Sequence, residues 1–442
     1  MNKAAIFVSD LHLGRGDELE DFVPENERAF VNFLQHQSDA FFGRDLDLVL
    51  LGDFLDIWQV ATEAEKHAPT STAIDLSVSA ASETRRAQEI VSAHPDTFAA
   101  LRKFLEADST KRRVVCIPGN HDHSLVHRDV RGVVYRAIVA GRPSIEGGVV
   151  FPLCYDAPEL LTYAEHGSQF DDNNHYEDFL TFGDESPGFF FVRLFWNRLE
   201  LLEPNADIWM ESFTAIWKNR LWRLIEPAYR YYRQYVADPR DFARIDVPGV
   251  PFFAAAGPRI GVPVTGKPLR DFPDLLFSDR GDPERIFSTS DLTENRLRKL
   301  YHDPNSKGFK DEVDKILDEK YQGQPPVVPA GNVPTTADFG LLSDPYATAV
   351  EGMFAPVGQR SVTQPLKGSA LNRDTYWYVL LGHTHHEKEE TFGDSGEKYF
   401  NTGSWSVRRS AEGDNESRLC FVIVQKGHDG IVRAEQDFWP LR

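Results

Sequence analysis

Five short polar segments, each directly behind a run of aliphatic or aromatic residues, constrain this chain more than any other feature. They are Asp10-Leu11-His12, Gly52-Asp53, Gly119-Asn120-His121-Asp122, His166-Gly167 and Gly382-His383-Thr384-His385. The runs before them, at 4–8, 46–51, 114–117, 161–165 and 377–381, read as buried strands. Helical patterns lie between, such as Phe98, Leu101, Phe104 and Leu105 on one face. Strands alternating with helices imply an α/β sheet, and such sheets carry their ligands at the carboxyl ends of strands, where all five segments fall.

The segments offer Asp, His and Asn donors and no Cys, a set that suits hard or borderline divalent cations: manganese first, with iron, zinc or magnesium also admissible. A carboxylate can bridge two adjacent ions, and an Asn amide oxygen binds without adding charge. Two such ions acidify a shared water and stabilise charge on phosphoryl oxygens, so the pattern points to phosphoester chemistry.

In order and residue type, the five segments resemble those of the calcineurin-like metallophosphoesterase superfamily. The resemblance implies a four-layer αββα sandwich with a large, mainly helical insertion. Its domain would comprise 1–171 and 375–442, with 172–374 inserted as a cap subdomain. By motif, Asp10, His12, Asp53 and His385 would hold one metal, and Asp53, Asn120, His166 and His383 the other, so that Asp53 bridges. A metal-bridging hydroxide would attack phosphorus, with His121 assisting the leaving group and Asp122 orienting His121. The wording Ser9-Asp10-Leu11-His12-Leu13-Gly14, Gly52-Asp53-Phe54-Leu55-Asp56-Ile57-Trp58 and Asn401-Thr402-Gly403-Ser404-Trp405 is closest to the UDP-diacylglucosamine hydrolase branch. That branch usually has Arg at the position of His121, and a short helical lid where this chain inserts roughly two hundred residues.

A formal charge of -20 repels nucleic-acid phosphates over most of the surface and argues against a polyanion binder. The same acidity, with no basic stripe, counts against a DNA-repair-type metallonuclease, which shares parts of the motif set. A non-catalytic scaffold on the same fold is the third reading, and retention of every ligand and of His121 argues against it. Three cysteines without paired spacing, no signal peptide and no apolar run of roughly 18 to 20 residues lead to the expectation of a cytoplasmic protein. Peripheral membrane contact stays open.

The expected substrate is a phosphate-containing small molecule or amphiphile, hydrolysed at an ester or pyrophosphate bond. The insertion begins beside a ligand loop and is rich in aromatic residues, including Phe189, Trp196, Trp209, Trp217 and Trp222, which suits a cap. Within it Arg193 and Arg198 are candidate substrate contacts. Asp56 and Trp58 read chiefly as turn-closing residues, and His386 as the alternative to His385. After Gly382, the runs at 398–401, 419–425 and 432–439 read as a mostly antiparallel second sheet, with Gly427-His428-Asp429-Gly430 as a turn.

Overall fold

Strands β1 (Lys3–Val8), β2 (Asp45–Leu51) and β3 (Arg112–Ile117) carry near-continuous apolar runs because both of their faces are covered. In a computed structural model they pair in parallel at the centre of a six-stranded sheet. The structure describes residues 3–67, 75, 77–171, 174, 176, 179, 186, 188–189, 192–202, 376–392, 396–408 and 415–441. Alternation along these strands separates two cores. Ala4, Ile6, Val8, Leu48, Leu50, Val114 and Cys116 face helices α1 (Pro24–Ala40), α3 (Ala80–Ala93), α4 (Pro95–Glu106) and α5 (Arg128–Val139). Ala5, Phe7, Val49, Leu51, Val115 and Ile117 face the other way, onto a second sheet. The short helix α2 (Glu63–Lys66) lies in the loop after β2.

Helix α4 shows how the sequence specifies its element. Pro95 occupies the first turn, where its missing N–H costs nothing, and Phe98, Leu101, Phe104 and Leu105 are all buried on one face. Burying side chains of this size contributes about 1.5–3 kcal/mol each.

The second sheet has five strands in the order β5 (Tyr155–Ala157), β6 (Thr162–Ala164), β7 (Tyr378–Leu381), β9 (Glu397–Thr402) and β8 (Glu387–Phe392). Strands β6, β7 and β9 run parallel. Thr162 pairs with Tyr378, so the chain leaves the sheet after β6 and re-enters it one strand away at β7, on either side of the 172–374 segment. Most of that segment lies outside the described residues, including Trp209, Trp217 and Trp222. The described residues form a mixed α/β fold, with helices on one face of the first sheet and the second sheet on the other.

One expectation is corrected. The strands after Gly382 do not form a separate antiparallel sheet: β9 joins β7 in parallel, whereas β10 (Leu419–Lys426) and β11 (Val432–Trp439) extend the first sheet beyond β1, each pairing antiparallel with its neighbour. Buried on both faces over 419–422, β10 fits between two strands, and β11, with alternating exposure, forms the edge. The 427–430 segment does turn between them, with Gly430 at φ 78°.

No helix among the described residues is long and apolar enough to cross a membrane. No disulfide joins the three cysteines.

Candidate metal centre

The tips of β1, β2, β3, β6 and β7 meet at one point. The loops after β1 and β2 run side by side, with the N–H groups of Asp10, His12 and Leu13 donating to the carbonyls of Gly52, Asp53 and Phe54. From the second sheet, Trp405 and Ser406 N–H and the Ser404 hydroxyl all donate to the Asp10 carbonyl. Asn401 donates to Gly382 O, and the Thr402 hydroxyl to Leu381 O. The 401–406 segment thus ties the Asp10 loop to the His383 loop.

Two groups of side chains face each other across this junction. Asp10, His12 and His385 bring one donor atom each within 4.8 Å of one another, and so do Asp53, His166 and His383. The carboxylate of Asp53 lies between them, its Oδ2 3.1 Å from His166 Nε2 and 3.8 Å from His12 Nε2. Asn120 Oδ1 lies 3.1 Å from the same His166 nitrogen. His12 Nε2 and His385 Nε2 are 3.0 Å apart, whereas His386 is absent from both groups and from the cleft lining, although His385 and His386 are both exposed.

Backbone geometry reinforces this grouping. Seven non-glycine residues among those described have positive φ, and five of them are Asp10, His12, Asp53, His383 and His385, at φ between 47° and 71°. The left-handed region costs about 1–2 kcal/mol per L-residue, and such strain concentrates where the surroundings hold a functional geometry. Three glycines permit the close packing. A Cβ at Gly52 would sit 2.2 Å from His166 Nδ1, one at Gly119 2.1 Å from Asp53 Oδ1, and one at Gly382 2.6 Å from Asp10 Oδ2.

The donor set fits divalent cations. His166 Nδ1 donates to the Leu51 carbonyl at 3.0 Å and His12 Nδ1 to Asp56 Oδ2 at 2.8 Å, which turns both Nε2 lone pairs inward. Asp10 Oδ1 is fully buried with no hydrogen-bond partner. Burial would raise the carboxyls of Asp10, Asp53 and Asp56, but the surrounding histidines outweigh it and hold all three below the ordinary carboxylate range. Against the desolvation of His166, Asp53 lifts its pKa to about 9. A field that retains a proton there also favours a cation.

Asp56 carries more of the site than the sequence indicates. Its Oδ2 accepts from His12, and its Oδ1 accepts from His121 Nδ1 at 2.9 Å and from Gln59 N–H at 3.0 Å. One buried carboxylate therefore orients both a candidate ligand and His121. This corrects the expectation that Asp122 orients His121. Asp122 lies beneath the loops and accepts backbone N–H bonds from Phe54, Leu55 and Gly119. Burial, with the charge of Asp53 adding to it, pushes its pKa up to about 7. The sequence cue for Asp56 was its place three residues after Asp53, in the loop that must turn back past His12.

His121 stacks on Trp58, ring centroids 4.3 Å apart, and its backbone N–H donates to Asp53 Oδ1 at 2.8 Å. It lines a polar cleft of about 380 Å³ with Asp53, Asn120, Asp171, His383 and His385. Asp171 Oδ2 lies 2.9 Å from His383 Nε2 and accepts from Asn174 at 2.7 Å, so this pair steadies the His383 ring. Asn174, which also lines the cleft, carries no motif signal.

Arg193 is not brought to the cleft. It is buried against the loop after β2, where it donates to carbonyls and to Glu65, so a substrate contact is replaced by a packing one. The side chain of Arg198 lies outside the described residues. Away from this centre, Asp17, Glu18 and Glu63 surround the ammonium of Lys66, a cation already in place. Compared with protein-family models and with curated proteins, the chain matches none.

Proposed function

We propose that this chain is a binuclear metal-dependent hydrolase of a phosphate ester or pyrophosphate bond, a metallophosphoesterase of the calcineurin-like kind. In this reading 1–171 and 375–442 form its αββα sandwich, with 172–374 inserted. The observation that carries the proposal is the meeting of two Asp/His triads at the Asp53 carboxylate, with Asn120 beside it and a buried Asp10 oxygen that makes no hydrogen bond and lies 3.4 Å from His385 Nε2 and 3.9 Å from His12 Nε2. Asp10, His12, Asp53 and His385 would hold one ion, and Asp53, Asn120, His166 and His383 the other. When bound, the ions supply Lewis-acid stabilisation of phosphoryl oxygens and lower the pKa of water.

The remaining chemistry belongs to the chain. Asp56 accepts the Nδ1 proton of His121, so the opposite nitrogen is left toward the cleft, where as the second N–H of an imidazolium it gives its proton to a departing oxygen. The flat face of Trp58 limits rotation of that ring. Asp171 and Asn174 narrow the cleft on the His383 side and leave it lined by polar groups, which suits a phosphate-bearing head rather than an apolar tail. Any apolar part of an amphiphilic substrate would have to be met by the insertion.

The test is metal content and turnover on a panel of nucleotide-sugar pyrophosphates, cyclic nucleotides, phospholipid headgroups and single-stranded DNA, with manganese added to chelator-washed protein. Two ions per chain and hydrolysis of a small or amphiphilic member, both lost in Asp53→Asn, are expected. Absence of metal binding, or activity confined to single-stranded DNA, would overturn the proposal.

A further inference from the structure

The first part of the insertion converges on one residue of the loop after β2. Arg193 donates to the carbonyls of Trp58 at 3.2 Å, Val60 at 2.6 Å and Asp75 at 2.7 Å, and to Glu65 Oε1 at 2.6 Å. Asn197, about one turn on, donates to the same Trp58 carbonyl at 3.1 Å. Phe189 meets the Trp58 ring edge-on, centroids 5.8 Å apart. Trp58 in turn stacks on His121 at 4.3 Å and an interplanar angle of 28°.

We propose that Phe189 and residues 192–197 act as a strap in which Arg193 is a positioning residue: it holds Trp58 against His121 and so fixes the imidazole that faces the cleft. The proposal rests on the reading of His121 as the group that assists the leaving oxygen. Its physical basis is a short chain of contacts, each nearly free of solvent. Arg193, Trp58 and Asn197 are 2%, 4% and 2% exposed, so none of these bonds is exchanged for water without cost. Arginine suits the place because its planar fork reaches several fixed acceptors at once, which a lysine ammonium on a flexible stem does not. His121 is otherwise held by Asp56 at one ring nitrogen and by the His12 ring, met edge-to-face at 4.7 Å. The Trp58 face covers the ring plane itself and fixes its tilt. Arg193 is therefore coupled to His121 through residue 58, without lining the cleft itself.

The experiment is made on the full chain with Arg193→Met, which keeps the stem and removes the donors, and with Asn197→Ala as a milder second variant. The first readout is independent of activity. In histidine-labelled protein the His121 ring signal, identified by its loss in His121→Asn, should carry the upfield ring-current shift of a stacked indole. That shift should shrink in Arg193→Met and less so in Asn197→Ala, while the signal of the buried His94 stays in place. The second readout is kinetic. On a diester with a poor leaving group, Arg193→Met should lower kcat about tenfold with KM and metal content unchanged, and should have little further effect in the His121→Asn background. An unmoved His121 signal, or the same loss of rate with and without His121, would overturn the strap. If the chain hydrolyses none of the phosphate compounds, the ring-current arm still decides the placement of His121 by Arg193, separately from the proposed function.

Discussion

Replacing Asp56 by Asn exchanges one oxygen for an amide nitrogen at a point where both oxygens are in use. In the native chain Oδ2 accepts from His12 Nδ1, and Oδ1 accepts from His121 Nδ1 and from Gln59 N–H. The amide can accept on one side only. The Gln59 N–H, buried and fixed in the backbone, favours the oxygen on its own side, which leaves the NH₂ group facing His12 Nδ1–H. Two buried donors in opposition cost about 1–3 kcal/mol. The alternative is for His12 to move its proton to Nε2, which removes the lone pair that faces His385 and Asp53. Loss of such a supporting partner typically lowers metal affinity about 10–100-fold. We therefore expect Asp56→Asn to weaken one of two manganese sites by that factor in a calorimetric titration of chelator-washed protein, and turnover at saturating metal to recover in part. Asp96→Asn, on the first turn of α4, is the control. If both manganese affinities in Asp56→Asn stay within about twofold of the native values, which is far less than the supporting-partner effect, Asp56 does not orient His12 and the reasoning fails.

His121→Asn should retain both metals and lose turnover, with the loss shrinking for substrates whose leaving group needs no proton; an equal loss on all substrates would contradict the assignment. Gly52→Ala and Gly141→Ala both place a side chain at positive φ, 85° and 70°, but only the first brings a Cβ within 2.2 Å of His166. Chemical denaturation should show about 1–2 kcal/mol lost in Gly141→Ala, and about 1–3 kcal/mol more in Gly52→Ala, which alone should lose metal. The buried His94 sits 3.1 Å from Glu20 and 3.4 Å from Glu27. Desolvation lowers its pKa, but the two carboxylates outweigh this and raise it from 6.5 to about 9. Because the folded-state value is the higher one, the stabilisation is complete below pH 6.5 and is lost as pH rises through about 9. It amounts to about 3 kcal/mol at about 1.4 kcal/mol per tenfold change in proton affinity. Unfolding free energy measured from pH 6 to 10 should fall accordingly in the native chain and stay flatter in His94→Gln.

Much of the framework and of the ligand grouping can be read locally, because strand runs and the polar residues ending them are properties of adjacent positions. The run at 4–8 is apolar throughout because β1 is covered on both faces, and Asp10 and His12 lie at its tip because the chain must turn there. The five segments could thus be grouped as ligand candidates before any fold was drawn. Period and composition do not say which strand a neighbour will be. Residues 419–425 read as a strand, but their place beside β1 depends on pairs such as Phe7 with Val422, hundreds of positions apart. Side-chain partners escape local reading for the same reason. Asp122 adjoins His121 in sequence yet points to backbone donors beneath the loops, whereas Asp56, 65 positions away, reaches the imidazole. Arg193 likewise looks like a phosphate contact from its charge and location, and becomes a packing residue only because the loop after β2 presents its carbonyls to a buried fork. Donor and acceptor types are written in the sequence, but which donor meets which acceptor is decided where the chain crosses itself, by the burial that makes an unpaired polar group costly.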